Sequence, residues 1–121
     1  MTIKEIGQKL VDLCKVGKNQ EVMETLYASD IVSVEAGAPP GGSPEVKGVA
    51  ACIEKSKGFR DRHEIHGAKI EGPFPHGDRF AVMFDYDLTL KENKQRINMK
   101  EIALYTVKGD KIVREEFFYS M

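Results

Sequence analysis

The sequence predicts an α+β domain, with helices gathered on one face of a curved antiparallel sheet. Three observations predict it. Helical spacing of apolar residues is confined to residues 3–60. After "RDRH" the period changes to two, and four strand-like runs follow. Those runs are joined by short polar links, which demand antiparallel hairpins.

Residues 3–16 place Ile3, Ile6, Leu10 and Leu13 at helical spacing, with Lys4, Glu5, Lys9 and Asp12 between them. Gly17 marks the stop. Asn19 caps a shorter helix with Val22, Met23, Leu26 and Tyr27 on its buried side. "DIVSVEA", residues 30–36, reads as a first strand. "GAPPGGSPEVKG" is too rich in proline and glycine for regular structure, so residues 37–48 are expected to be a mobile loop between the first strand and the third helix. A third helix covers 49–60, with Val49, Cys52 and Ile53 as its apolar positions. Strands are predicted over 64–72, 79–90, 96–107 and 111–119, separated by "PFPHGD", "KENKQ" and "KGD".

The totals exclude several classes. A chain of 121 residues suits one domain, 1–121, with one modest core. Charged residues make up 31% and the net charge is −1, without a basic stripe, which argues against nucleic acid as a partner. "MTIKEIGQKL" lacks the apolar region of a signal peptide. No run reaches the roughly 18 apolar residues of a membrane span. Cys14 and Cys52 read as small buried hydrophobes in a reducing cytoplasm, and their spacing is not that of metal ligands. No metal or cofactor is expected.

Strand parity sorts the carboxylates. In residues 79–90, Phe80, Val82, Phe84, Tyr86 and Leu88 share one side, which must face the helices. Pairing Lys91 with Arg96 sets Tyr86 opposite Glu101 and Phe84 opposite Ala103. Glu101 then points inward with Met99 and Tyr105. A three-residue loop at Lys108–Asp110 brings Glu115, Phe117 and Tyr119 inward, with Glu101 opposite Phe117. A two-residue turn, Gly109–Asp110, brings Arg114, Glu116 and Phe118 inward instead. The first is preferred, and whether Glu115 or Glu116 faces the pocket stays open. The outer face carries Met83, Asp85, Asp87, Lys100, Ile102, Leu104 and Thr106. Its aliphatic content predicts a homodimer through that face, with Asp87 near Lys100 as a weak cross-strand ion pair.

"ETLYASDIVSVE", a Pro/Gly loop, "VKGVAACI" and a meander ending "VKGDKIVREEFFY" together resemble the SnoaL-like group of the nuclear-transport-factor-two-like superfamily. That group includes polyketide cyclases and is related to ketosteroid isomerase. The resemblance spans nearly the whole chain. It implies a cone-shaped α+β barrel in which three helices close over the sheet around a pocket, and commonly a dimer through the outer sheet faces. Laid on "YASDIVSVE", the general base of ketosteroid isomerase falls on Glu35. Its oxygen-binding acid falls on Ala103 or, two residues away on the same face, Glu101. Its last pocket aromatic falls on Tyr119. Its first-helix tyrosine falls on Leu10, a departure that argues against steroid isomerisation.

The candidate catalytic residues are therefore Glu35, Glu101 and His66. Glu101, buried among aromatics, is expected to have a raised pKa and to be held by a tyrosine hydroxyl or another polar neighbour. The competing reading is a structural glutamate bonded to Tyr86, Tyr105 or Tyr119. Glu35 is either a proton-transfer base at the mouth or a solvated strand end. His66 is either a proton shuttle or a polar strand-edge residue. His63 lies on the opposite strand face, which disfavours joint chelation of a metal. Phe84, Tyr86, Tyr105, Phe117 and Tyr119 are the expected ligand-binding wall, or ordinary core. Two functions fit. One is cofactor-free acid–base chemistry on a small, mostly apolar molecule, as in an isomerase, cyclase or hydratase. The other is a non-catalytic dimeric binding module on the same scaffold.

Overall fold

The computed structural model describes residues 1–37 and 41–120. Three helices lie on one face of a curved, unclosed six-stranded sheet of order β2-β1-β6-β5-β4-β3. The α+β architecture read from the sequence is thus the one observed.

Helix α1 (Ile3–Lys15) starts at a capping box, in which Thr2 accepts from the Glu5 amide and Glu5 accepts from the Thr2 amide. It stops at Gly17, whose φ of 75° suits glycine, while the Lys18 amide bonds back to Leu13. Ile6, Leu10 and Val11 form its buried stripe. Helix α2 (Asn19–Leu26) follows, with Lys18 rather than Asn19 at the cap position. Tyr27 leaves the helix and opens strand β1 (Tyr27–Val34), so the first strand begins three residues earlier than its apolar run suggests.

Part of the expected loop is regular. Glu45–Lys47 form β2, antiparallel to β1, secured by Glu35 N–H to Pro44 and Gly48 N–H to Ile31. Residues 38–40 of that loop lie outside the described residues. Helix α3 (Val49–Arg62) then leads into β3 (His63–His76), β4 (Arg79–Leu90), β5 (Arg96–Lys108) and β6 (Lys111–Phe118). β3 runs through the proline-rich stretch, with register shifts at Ile65/Gly67 and Glu71/Phe74, and turns at Gly77–Asp78. The meander is antiparallel, whereas β1 joins β6 in parallel.

Two registers differ from expectation. Leu90 N–H bonds Gln95, and the Asn93 side chain accepts from the Gln95 amide, so the β4–β5 turn closes one residue earlier on each strand. Phe84, not Tyr86, therefore faces Glu101, and Arg96 faces Thr89. The shift is two residues, the side-chain period of a strand, so every side chain keeps its face. The last hairpin uses the two-residue turn, not the three-residue loop, with Gly109 and Asp110 both at positive φ. That turn alone would bring Glu116 inward. A bulge between Thr106 and Val107 restores the other parity, so Tyr105 faces Glu115 and Ala103, rather than Glu101, faces Phe117. On the outer face Asp87 pairs with Arg96 through two bonds of 2.9 and 2.7 Å, and Lys100 sits opposite Asp85 instead.

The core fills the space between α1, α2 and the sheet with Ile6, Leu10, Leu26, Phe80, Val82 and Ile112, all buried. Cys14 and Cys52 are free thiols. No helix among the described residues is long and apolar enough to cross a membrane.

Candidate functional site

Beyond that core the helices and the sheet diverge around a cavity of about 830 Å³. Its apolar wall includes Phe84, Tyr86 and Met99 from the sheet, Leu10 and Met23 from the first two helices, and Phe59 from α3. Phe84 and Tyr86 stack with centroids 5.9 Å apart, and Phe59 leans on Tyr86 at 6.0 Å. Tyr105, Phe117 and Tyr119 line the same space. Tyr105 is the most core-like of the expected wall, since it is buried and stacks on Phe80 at 4.9 Å.

Three carboxyl groups border the cavity: Glu35, Glu101 and Glu115. Ser33 in strand β1 and Glu35, one residue past its end, reach the same face because they are two residues apart. Helix α3 delivers Cys52, Lys55, Ser56 and Phe59 at spacings of three, four and seven, one helical face. Lys55 Nζ meets Glu35 Oε1 at 2.6 Å and donates to Ser33 Oγ at 2.5 Å. It also stands 5.0 Å above the Phe117 ring. The Tyr119 hydroxyl donates to Glu35 Oε2 at 2.9 Å. Burial and Glu35 together push the Tyr119 phenol up to about 12, so it remains a donor.

Glu115 lies deeper, only 2% exposed, and accepts a hydrogen bond from the Tyr27 hydroxyl. Burial raises its pKa, against the opposing pull of the Tyr27 and Ser33 hydroxyls. Glu101 is different. It makes no hydrogen bond or ion pair among the described residues, and it is half-buried on the cavity wall. Burial, then Glu35, raise its pKa to about 7, with Lys55 acting in the opposite direction. The expected tyrosine partner is not found among the described residues: Tyr119 donates to Glu35 instead, and neither Tyr86 nor Tyr105 bonds Glu101.

The structure brings Glu35 and Glu101 to one cavity. His66 is set apart. Its ring nitrogen bonds Thr89 Oγ1 at 2.7 Å on the outer side of β4, and its side chain is exposed at the rim. His63 bonds the Phe59 carbonyl at 2.8 Å and stacks on that ring. Among the described residues no three His, Cys, Asp or Glu side chains converge as metal ligands. Sequence reading missed Lys55 and the Tyr27–Glu115 contact. The signal for Lys55 was its place in the Cys52, Ser56, Phe59 stripe. Tyr27 carried none, because its partner lies 88 residues away.

The profile of the SnoaL-like domain family matches residues 1–119. A crystal structure from Mesorhizobium loti, provisionally named a SnoaL-like polyketide cyclase and in the same name a carbohydrate phosphatase, is 41% identical with a TM-score of 0.92. That match covers 98% of this chain and all of the other. A protein of Burkholderia thailandensis named NTF2-like superposes with a TM-score of 0.83 at 16% identity, covering 99% and 92% of the two chains. One of Bacillus subtilis, provisionally named an isomerase, gives 0.77 at 17% identity over 99% and 90%. These last two likenesses speak to the fold alone. No curated protein matches the chain.

Proposed function

The chain belongs to the SnoaL-like domain family, and on that premise we propose that its cone takes up a small, mostly apolar molecule bearing a carbonyl or hydroxyl and moves protons on it without a cofactor. The observation that carries this reading is Glu101: a carboxyl without a partner among the described residues, on an apolar wall, with its pKa raised to about 7. Such a group is protonated for part of the time at neutral pH, and donates best to an oxygen that is gaining charge. Glu35, joined to Lys55 and Tyr119, is the base. It removes a proton from carbon beside the carbonyl. The electron pair moves onto oxygen, where Glu101 donates, and the proton returns to the same or another carbon. The names cyclase and isomerase on related folds suit that chemistry. The free thiols Cys14 and Cys52 suit the cytoplasm.

A second reading has its own observation. Lys55 already neutralises Glu35, which suits a non-catalytic carrier or accessory module on the same scaffold. Proton exchange separates the two. Simple ketones and 1,3-dicarbonyls incubated with the protein in D₂O are expected to take up deuterium at the α-carbon, read by ¹H NMR. Glu101→Gln is expected to slow uptake by about 100-fold or more. Binding of these compounds without any exchange above buffer returns the protein to the carrier reading.

A further inference from the structure

We propose that the molecule entering the cone carries an anionic group, and that Lys15, Arg60 and Arg62 hold it at the mouth while its apolar body reaches Glu101. This rests on the cone being a small-molecule site, and it names the class of molecule: an elongated amphipathic acid.

Charge is segregated along the cavity. Every acidic side chain that lines it comes from β5, β6 or the residue just past β1. Apart from Lys55, the basic ones are Lys15 at the end of α1 and Arg60 and Arg62 at the end of α3. The ends of two helices thus bring three cations to the lining of one cavity, and none of the acidic residues that line it comes from either helix. None of the three forms an ion pair among the described residues. Lys55 does pair, with Glu35.

The plain alternative is that cations suit helix C-termini. That accounts for their sign at each helix end. It does not account for cations from two helices lining the same cavity. Gly58 adds to the case. A Cβ there would sit 3.1 Å from Arg62 Nη1, so the guanidinium lies back along α3, one turn from its own backbone. In that position it lines the cavity.

Register gives the scale. Glu101 faces Phe84, and Phe84 faces Ile70, so Glu101 is level with Ile70 on β3. Helix α3 gives way to β3 at His63. Seven strand residues span on the order of 20 Å, which the long basic side chains shorten from their end. A small compact molecule reaches one end or the other. A molecule that fills both has an acid head and an extended apolar body with its reactive oxygen in it.

Two dyes that share an aromatic body test this. 8-Anilinonaphthalene-1-sulfonate carries a sulfonate, and N-phenyl-1-naphthylamine does not. Fluorescence titration at low salt is expected to show one site per chain for both, with the sulfonate tighter by about tenfold, as three exposed cationic contacts would give. Combined Lys15→Gln, Arg60→Gln and Arg62→Gln is expected to abolish that preference and leave the neutral dye unchanged. Salt near 0.5 M is expected to do the same, because exposed charges are screened. All three residues are exposed, so the triple variant folds, which circular dichroism checks. Equal affinity for the two dyes, or a preference that survives the triple variant, overturns the anion site and leaves the cone reading intact. If the neutral dye does not bind at all, the cone reading fails and takes the anion site with it.

Discussion

Glu101 ties function to pH, and its sign is fixed by which state holds the proton. Between the ordinary glutamate value of 4.5 and about 7, an unfolded chain has lost this proton and the folded chain still keeps it. Raising the pH through that window therefore favours unfolding. The contribution is fully present below 4.5 and gone above 7, with a slope of at most about 1.4 kcal/mol per pH unit. Glu115 is shifted in the same direction, so the wild-type profile alone does not isolate Glu101. Comparison with Glu101→Gln does. The variant is expected to match wild type near pH 4 and to exceed it by about 1–3 kcal/mol at pH 8, from urea midpoints across the range. Parallel profiles would show that the carboxyl is not perturbed. Residue placement was legible here because parity depends only on counting by two. A register error of two left Glu101 inward, with Phe84 instead of Tyr86 as its neighbour. Lys55 was not legible in the same way. Its helix has a weak apolar stripe with Cys52 as its buried residue, and a long cation reads as solvent-facing until β1 places Ser33 and Glu35 opposite it.

Elements show the same division between local and distant causes. The helices and the four meander strands follow from their own periodicity, and β4 was predicted with the bounds it has. β2 was not, because three residues inside a proline- and glycine-rich stretch have no alternation to read, and their hydrogen bonds come from β1. The parallel pairing of β1 with β6 likewise has no local signal. The bulge in the last hairpin matters more than the turn it follows, since it decides that Glu115 and not Glu116 meets the cavity. Packing between elements makes a sharper prediction at two glycines. Gly7 lies where α1 crosses β3 and β4, and a Cβ there would sit 2.6 Å from Pro73 Cβ and 3.1 Å from the Phe80 ring. Pro73 is a rigid ring and Phe80 is fully buried, so Gly7→Ala is expected to cost about 1–3 kcal/mol. Gly58 in α3 would meet only the flexible end of Arg62. Gly58→Ala is therefore expected to gain up to about 1 kcal/mol from helix propensity. Urea denaturation of the two variants checks both signs. A loss at Gly58 as large as at Gly7 would mean that Arg62 is fixed where it lies.

At the scale of the whole molecule, the helices cover one face of the sheet and leave the other bare. Met83 on β4 faces Ile102 on β5, which faces Phe118 on β6, so an apolar row crosses three strands. Ile102 is 48% exposed and Phe118 52%. Around the row lie Asp87 with Arg96, Lys100 opposite Asp85, and Arg114 with Glu116 at 3.0 Å. Apolar centres rimmed by charge are how recognition surfaces are built. A second copy is the simplest partner, because a two-fold axis through the row would set each Ile102 near its counterpart and each charged flank near its complement. The expected protein is thus a homodimer with at least about 1,200 Å² buried in total. Ile102→Glu puts a carboxylate at the centre of that contact. Half-exposed in the isolated chain, the residue is not needed for the core, so the variant is expected to fold, to scatter light as a monomer at micromolar concentration, and to lose any dependence of its melting temperature on protein concentration. The cavity opens on the other side of the sheet, so dye binding by the monomeric variant should persist. Wild type that scatters as a monomer at the same concentration would remove the dimer.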